Sequence, residues 1–466
     1  MRDTIIEAAL TSARDTDTVV IGRGAVARTG KAIRDAMDTS TDCEMRPAMI
    51  VADDCTWHVA GNKVTAALAE ARIPVVEPLV FPATPTLYAS LDNANRIAKV
   101  LRDRDFQRGV TVIPVAVGSG TINDLTKLAA RDLGRRYAVV GTAASMDGYT
   151  GAGAPISDNG VKITMNCVAP QVVVFDLDLA ANAPSPMSAS GFGDLSAKIP
   201  GGADWLIADA AGVESIDEDV WTLVQSGVHE ALSRPADLAA GVPEAYEGLV
   251  KGLILSGLAM QVYDGTRPAS GAEHYFSHIW ELAHVGAKLD PPLSHGFKVA
   301  IGTLAMLTFY EKFLDRDPAT IDIDAAVAKW PTWDVVEADI RHTFDGALAD
   351  HAVKETRVKF VDRDGLRGRL DRFVSRWPEI ADRVRAQLVP ADELAEQLRL
   401  AGAPSRPEDI GLTAQDIKAS FPKAMYYRSR YTVLDVAREA AWFDDLVSDV
   451  FRSEEHTSEL QSRLHL

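Results

Sequence analysis

Between Ser270 and Gly296 the chain reads SGAEHYFSHIWELAHVGAKLDPPLSHG, and three of its histidines are spaced for chemistry. His274 and His278 stand four residues apart, so on a helix both rings project from one face. Asp290-Pro291-Pro292 is expected to stop that helix and Ser294 to cap the next. His295 would then sit at a helix start, facing the first two histidines across a short loop. Neutral imidazole is the commonest protein ligand for a divalent metal. Two histidines and one carboxylate would leave a coordination position open for substrate, as catalytic metal sites do. The carboxylate must come from elsewhere, and Asp194 in GFGDLSAK is the candidate. Spacing alone is weak support, because isolated histidines on apolar helices are usually packing or surface residues. His284, read as part of the same helix, illustrates that plainer role.

A second group of motifs suits a nucleotide. Gly118-Ser119-Gly120-Thr121-Ile122 follows the apolar run VTVIPVAV and opens TINDLTKLAARDL. Glycines there let backbone approach a phosphate, and a helix N-terminus offers free N–H groups. Gly22-Arg23-Gly24 is a competing loop, ranked lower because it lacks the third glycine of the dinucleotide fingerprint. Asp53 and Asp54 end the run PAMIVADD, where a carboxylate can accept from a ribose hydroxyl. Thr142-Ala143-Ala144-Ser145 is small enough to lie against a flat cofactor, and Asp147 just beyond it could meet substrate. The plain alternative for each is a strand end or turn, and the Gly118 loop is favoured over it because it joins a clear strand to a clear helix.

The elements that must position them alternate. DTVVIG, PAMIVADD, IPVVEPLVF, VTVIPVAVG and RRYAVVG read as strands. The helix-patterned AVARTGKAIRDAM, VAGNKVTAALAEA and PTLYASLDNANRIAKVLRDR lie between them. That alternation predicts a doubly wound, mostly parallel sheet with ligands at the carboxyl ends of its strands. Asp158-Asn159-Gly160 before VKITM predicts a hairpin-like return, closing this domain near Asp176 to Leu179. From about Asn182 onward the spacing is helical, with Asp194 expected early in the first helix. Lys198 follows one turn later, placed to pair with an acid or reach a substrate oxygen. Trp205, Trp221, Trp280 and Trp330 read as core aromatics. The expected organisation is an α/β domain over 1–180 and an all-α domain over 181–451.

The chain has 466 residues, is 47% hydrophobic and carries a formal net charge of −18. Such a surface repels nucleic acid and anionic membranes, and an anionic small substrate would need local positive charge such as a metal. No apolar run reaches the length of a membrane span, and the N-terminus does not read as a secretory signal. Cys43, Cys55 and Cys167 have no metal-like spacing and read as reduced thiols of a cytoplasmic protein. The segment 452–466, RSEEHTSELQSRLHL, resembles translated read-through of a sequencing adapter. It is expected to be a non-native tail, with the natural sequence breaking off near Phe451.

Taken together, GSGTINDLTK, TAASMDGYT, GFGDLSAK, SGAEHYFSH and LSHGFKVAIG occur in an order and spacing that resemble the sn-glycerol-1-phosphate dehydrogenases. These belong to the larger iron-type alcohol dehydrogenase, glycerol dehydrogenase and dehydroquinate synthase superfamily. SMDGYT and the long C-terminal part resemble the bacterial branch more than the archaeal one, and the likeness runs from about residue 17 to 430. The resemblance implies a dehydroquinate synthase-like fold, and Asp194, His274 and His295 as ligands of one divalent metal, whether zinc, nickel or iron. It implies Asp147, Asp194 and His278 at the substrate, with His278 not on the metal and with His278 and Asp147 catalytic. Gly118, Ser119, Gly120, Thr121 and Ile122 match the pyrophosphate loop. Thr142, Ala143, Ala144 and Ser145 match the segment beside the nicotinamide of NAD(H) or NADP(H), and Asp53 matches the ribose-contacting acid. Where family members often have a serine, this chain has Gly151, so a cofactor hydrogen bond is either missing or supplied by Thr150. The implied activity is reversible reduction of dihydroxyacetone phosphate to sn-glycerol 1-phosphate by a homodimer or larger assembly. Alternatives on the same scaffold are a glycerol or other polyol dehydrogenase and a dehydroquinate-synthase-like lyase. A non-catalytic cofactor-binding protein is the remaining alternative.

Overall fold

A computed structural model describes residues 4–37, 45–158 and 161–452 of the chain. Cys43, Asn159, Gly160 and the tail from 453 onward, all singled out above, lie outside the described residues.

The main sheet is built from β1 (Thr18–Gly22), β2 (Ala48–Asp53), β3 (Leu79–Phe81), β4 (Ile113–Gly118), β5 (Ala138–Gly141) and, after a hairpin, β8 (Val172–Asp176). The hairpin is β6 (Gly153–Asp158) paired antiparallel with β7 (Val161–Asn166). The strand order is β1-β8-β5-β4-β2-β3, with every pair parallel. Strands β4, β5 and β8 are buried at every position, as parallel strands covered on both faces must be. Ile50, Val115, Val140 and Val174 share one core with Ile33, Val64 and Leu68 of the crossover helices.

Local chemistry moves three boundaries from their sequence-based positions. The run IPVVEPLVF makes a strand only at Leu79–Phe81, with one isolated bridge at Val75. Pro74 and Pro78 have no N–H for a ladder, so the run cannot pair along its length. The expected helix from Pro85 begins at Leu91, because Ser90 caps it by accepting from the Asn93 amide at 3.3 Å. It ends at Gly109 (φ 68°). The third boundary is that of the histidine helix, which ends at Leu282, well before Asp290. Its stop is a backbone motif: the His284 and Val285 amides bond back to the Glu281 and Trp280 carbonyls, with His284 at φ 58°. His284 is thus a residue of the helix stop, lying just past the helix rather than on it.

The chain divides into two compact units. One comprises Met1–Leu195, Thr222–Thr266 and Leu400–Ala403 and holds the sheet. The other comprises Ser196–Trp221, Arg267–Arg399 and Pro404–Leu466, and its described elements are helical. Trp280 and Trp330 line its core, with Trp221 packed against it, and Trp205 is buried with its indole N–H donating to the Ser215 carbonyl. Among the described residues no helix is long and apolar enough to cross a membrane.

Candidate functional site

Strand β2 pairs with β3 on one side and β4 on the other, so the chain reverses direction across the sheet there. Loops leaving the carboxyl ends of such strands diverge and open a crevice, where α/β sheets bind ligands. Asp53 ends β2, Gly118 ends β4, and Thr142–Ser145 follows β5. The two loops are tied together: Ser119 Oγ lies 2.6 Å from Ser145 Oγ and 3.0 Å from the Tyr149 hydroxyl. Burial pushes the Tyr149 phenol up to about 12, so it stays a neutral hydrogen-bonding group. Ser119 precedes the 13-residue helix Gly120–Asp132, and its hydroxyl makes no cap bond to that helix. Thr142, Ala143, Ala144 and Ile122 are buried, while Thr121 and Ser145 remain partly accessible.

The rival loop at Gly22–Gly24 is already occupied by protein carboxylates. The Gly24 amide donates to Asp178 Oδ2 at 3.2 Å, the Val26 amide to Asp176 Oδ2 at 2.9 Å, and Arg23 pairs with Asp178. Asp53 caps the short helix that follows β2, accepting from the Thr56 amide at 2.8 Å, and Asp54 Oδ2 accepts from the Ala83 amide. The Thr150 hydroxyl is buried and donates to the Ile254 carbonyl at 2.8 Å. Its proton is therefore committed to a helix backbone, which leaves the hydroxyl only as an acceptor toward any further group.

Asp147 is held at both ends. Its amide donates to Asp194 Oδ2 at 2.9 Å, and its Oδ2 accepts from Ser256 Oγ at 2.8 Å. Ser256 lies on the helix Pro243–Tyr263, which approaches the Asp147 loop closely at Gly257. A Cβ there would stand 2.1 Å from Thr150 Oγ1 and 2.9 Å from the Asp147 carbonyl oxygen. Lys127, fully buried, donates to the carbonyls of Gly148 (3.0 Å) and Gly153 (2.9 Å) and so clamps the same loop. Asp194 itself is buried, and it lies in the last turn of the helix Ser185–Ser196 rather than early in it. That helix begins at Ser185, so Asp194 lies nine residues after its first residue. Lys198 is buried at the opening of the next helix, Lys198–Ala210.

His274 and His278 lie on the helix Ala272–Leu282, and His295 opens the helix His295–Asp315, with Ser294 as N-cap accepting from the Phe297 amide. The three rings cluster, with centroids 6.1 Å apart for His274 and His278, 5.5 Å for His274 and His295, and 5.7 Å for His278 and His295. Gly302 permits the close approach of the two helices. A Cβ there would lie 2.4 Å from the Glu273 carbonyl oxygen. Two ring nitrogens are held by carboxylates: His274 Nδ1 lies 2.9 Å from Glu273 Oε1, and His295 Nδ1 lies 2.9 Å from Glu281 Oε1. Packing removes water from His278 and lowers its pKa, although about 32% of the side chain stays accessible. Among the described residues, Asp194, His274 and His295 each offer one ligand atom, and these atoms lie within 4.8 Å of one another.

Comparison with known proteins gives the context. Residues 19–184 match the model of the family described as iron-containing alcohol dehydrogenase. The chain is 34% identical over 265 residues to glycerol-1-phosphate dehydrogenase [NAD(P)+] of Halalkalibacterium halodurans, covering 56% of this chain and 64% of that protein. It is 32% identical over 260 residues to the protein of the same name from Pyrococcus horikoshii, covering 56% of this chain and 70% of that one. The chain belongs to the glycerol-1-phosphate dehydrogenase family, within the iron-type alcohol dehydrogenase superfamily. It spans 64% of the length of the Halalkalibacterium relative, somewhat under two thirds. The crystal structure of glycerol dehydrogenase from Schizosaccharomyces pombe shares the fold, with a TM-score of 0.58 at 17% identity, covering 96% of this chain and 92% of that one.

This family implies a divalent cation, and the donor set fits one. A carboxylate and two imidazoles are ligands common to zinc, nickel and iron sites. Both candidate ligand histidines also have Nδ1 against a carboxylate, which directs Nε2 outward as metal-bound histidines require. Sequence reasoning missed the residues that hold the others in place: Glu273, Glu281, Ser256, Lys127 and Tyr149. Glu273 and Glu281 flank the histidine pair in EHYFSHIWE, and that adjacency was the available signal. Nothing in the sequence pattern pairs Ser256 with Asp147 across 109 residues.

Proposed function

We propose that the protein is a metal-dependent, NAD(P)H-linked oxidoreductase that reversibly reduces dihydroxyacetone phosphate to sn-glycerol 1-phosphate. The observation that carries this is the group of Asp194, His274 and His295 ligand atoms within 4.8 Å, with both histidines braced at Nδ1. Relatives named glycerol-1-phosphate dehydrogenase [NAD(P)+] support this choice of substrate and cofactor. When bound, the cation supplies Lewis acidity at the C2 carbonyl oxygen and the reduced nicotinamide supplies hydride to its carbon.

In this reading, Asp194, His274 and His295 hold the cation, which is zinc, nickel or iron. Gly118–Ile122 receives the pyrophosphate, Thr142–Ser145 lies beside the nicotinamide, and Asp53 accepts from a ribose hydroxyl. Asp147, its carboxylate oriented by Ser256, fixes a substrate hydroxyl. His278, with Nδ1 facing Glu281, exchanges the substrate proton at Nε2, directly or through an ordered water. The product is a lipid precursor, which places the enzyme in cytoplasmic phospholipid synthesis, acting as a homo-oligomer.

The test is NADH and NADPH oxidation with dihydroxyacetone phosphate against unphosphorylated dihydroxyacetone, in wild-type protein and in His274→Ala. Turnover confined to the phosphorylated ketone, and lost in His274→Ala with NADH binding retained, is the expected result. Preference for dihydroxyacetone would move the assignment to a polyol dehydrogenase. Full turnover in a metal-free His274→Ala protein would remove the metal role.

A further inference from the structure

We propose that Glu281 is a positioning residue that binds His295 and His278 through one carboxylate and so fixes the proton placement of both rings. The inference rests on the metal-binding reading above. Glu281 sits in the last turn of the helix Ala272–Leu282, three residues after His278, and its side chain is largely buried. Its Oε1 lies 2.9 Å from His295 Nδ1 and its Oε2 lies 3.5 Å from His278 Nδ1. The two rings are stacked, with centroids 5.7 Å apart and an interplanar angle of 25°.

An ionised carboxylate only accepts hydrogen bonds, and it has sites enough for two donors. Both rings must therefore carry their proton on Nδ1 to satisfy it. Nε2 is then a lone pair on each ring. At His295 that lone pair is the metal ligand. At His278 it is a proton acceptor toward the substrate oxygen. One side chain thus sets a structural parameter of the metal site and a chemical parameter of the proton path together. Glu273 Oε1 lies 2.9 Å from one ring nitrogen, His274 Nδ1, and accepts also from the Gly271 amide at 2.6 Å.

Glu281→Gln is the discriminating change. A carboxamide has one acceptor and one donor end, so it cannot accept from both rings. One histidine must move its proton to Nε2 or lose its partner. Zinc affinity, measured by chelator competition on the full chain, should fall between about 10-fold and 100-fold. The ¹⁵N spectrum of histidine-labelled protein should show His278 and His295 protonated at Nδ1 in the wild type, and one of the two changed in the variant. If the variant does not fold, the wild-type spectrum alone decides: a proton on Nε2 of His278 overturns the proposal. Unchanged zinc affinity in a folded Glu281→Gln protein also overturns it. Wild-type protein that binds none of zinc, nickel or iron would instead sink the metal-binding reading on which this one stands.

Discussion

Gly302→Ala should push apart the two helices that present His274 and His295. The new Cβ would meet the Glu273 carbonyl oxygen at 2.4 Å, about 1 Å inside ordinary contact, and Phe276 Cβ at 3.3 Å. The oxygen is backbone and cannot swing away, so the helix Ala272–Leu282 must shift. Alanine in a helix interior gains at most ~1 kcal/mol over glycine, whereas overpacking a core costs about 1–3 kcal/mol. Because the position is fully buried, the clash wins, and the net loss should be on the order of 1–2 kcal/mol. Metal sites tolerate ligand displacements of only about 0.2 Å, so zinc affinity should fall at least tenfold as well. Gly368→Ala is the matched control. It is also a helical glycine, exposed, and a Cβ there meets nothing within 4 Å. It should gain up to ~1 kcal/mol and bind zinc normally. Urea unfolding of the metal-free proteins and zinc competition measure both effects. If Gly302→Ala matches Gly368→Ala in stability and affinity, the close helix contact is not what places the histidines.

Two further outcomes follow from single contacts. Ser256→Ala removes the hydrogen bond to Asp147 Oδ2. Losing about 1 kcal/mol of positioning should cut kcat/KM for dihydroxyacetone phosphate roughly five- to tenfold without changing zinc content; unaltered kinetics would detach Asp147 from the substrate. Asp204, buried on the second unit, accepts from the Tyr310 hydroxyl and from the Ala272 and Val433 amides. Burial first, and then the charge of Glu273, raise its carboxyl to about 6 from an ordinary 3.8. A raised folded pKa means that stability is fully present below the unfolded value and is lost as pH rises through the folded one. Between pH 4 and 7 wild type should therefore lose on the order of 3 kcal/mol relative to Asp204→Asn. Parallel pH–stability curves for the two proteins would contradict this.

Much of the fold was legible because its signals are local and repeated. Buried parallel strands need continuous apolar runs, and β2, β4 and β5 are such runs. The i, i+4 histidines and the Ser294 cap were readable for the same reason. What the sequence hid depends on tertiary contact. The end of the histidine helix is a backbone motif at His284, which has no compositional mark like Pro-Pro. Pro78 shortened a strand that apolar content alone suggested. The residues bracing the site, Glu273, Glu281, Ser256, Lys127 and Tyr149, have partners as far as 109 positions away, so their role appears only once the chain is folded.

The central claim is that one divalent cation, held by Asp194, His274 and His295, is required for turnover. Chelation followed by stepwise zinc or nickel addition, with NADH oxidation by dihydroxyacetone phosphate as the readout, tests it directly. Loss of activity on chelation and full recovery at one equivalent per chain is the predicted result. Undiminished turnover in protein shown to be metal-free would contradict it.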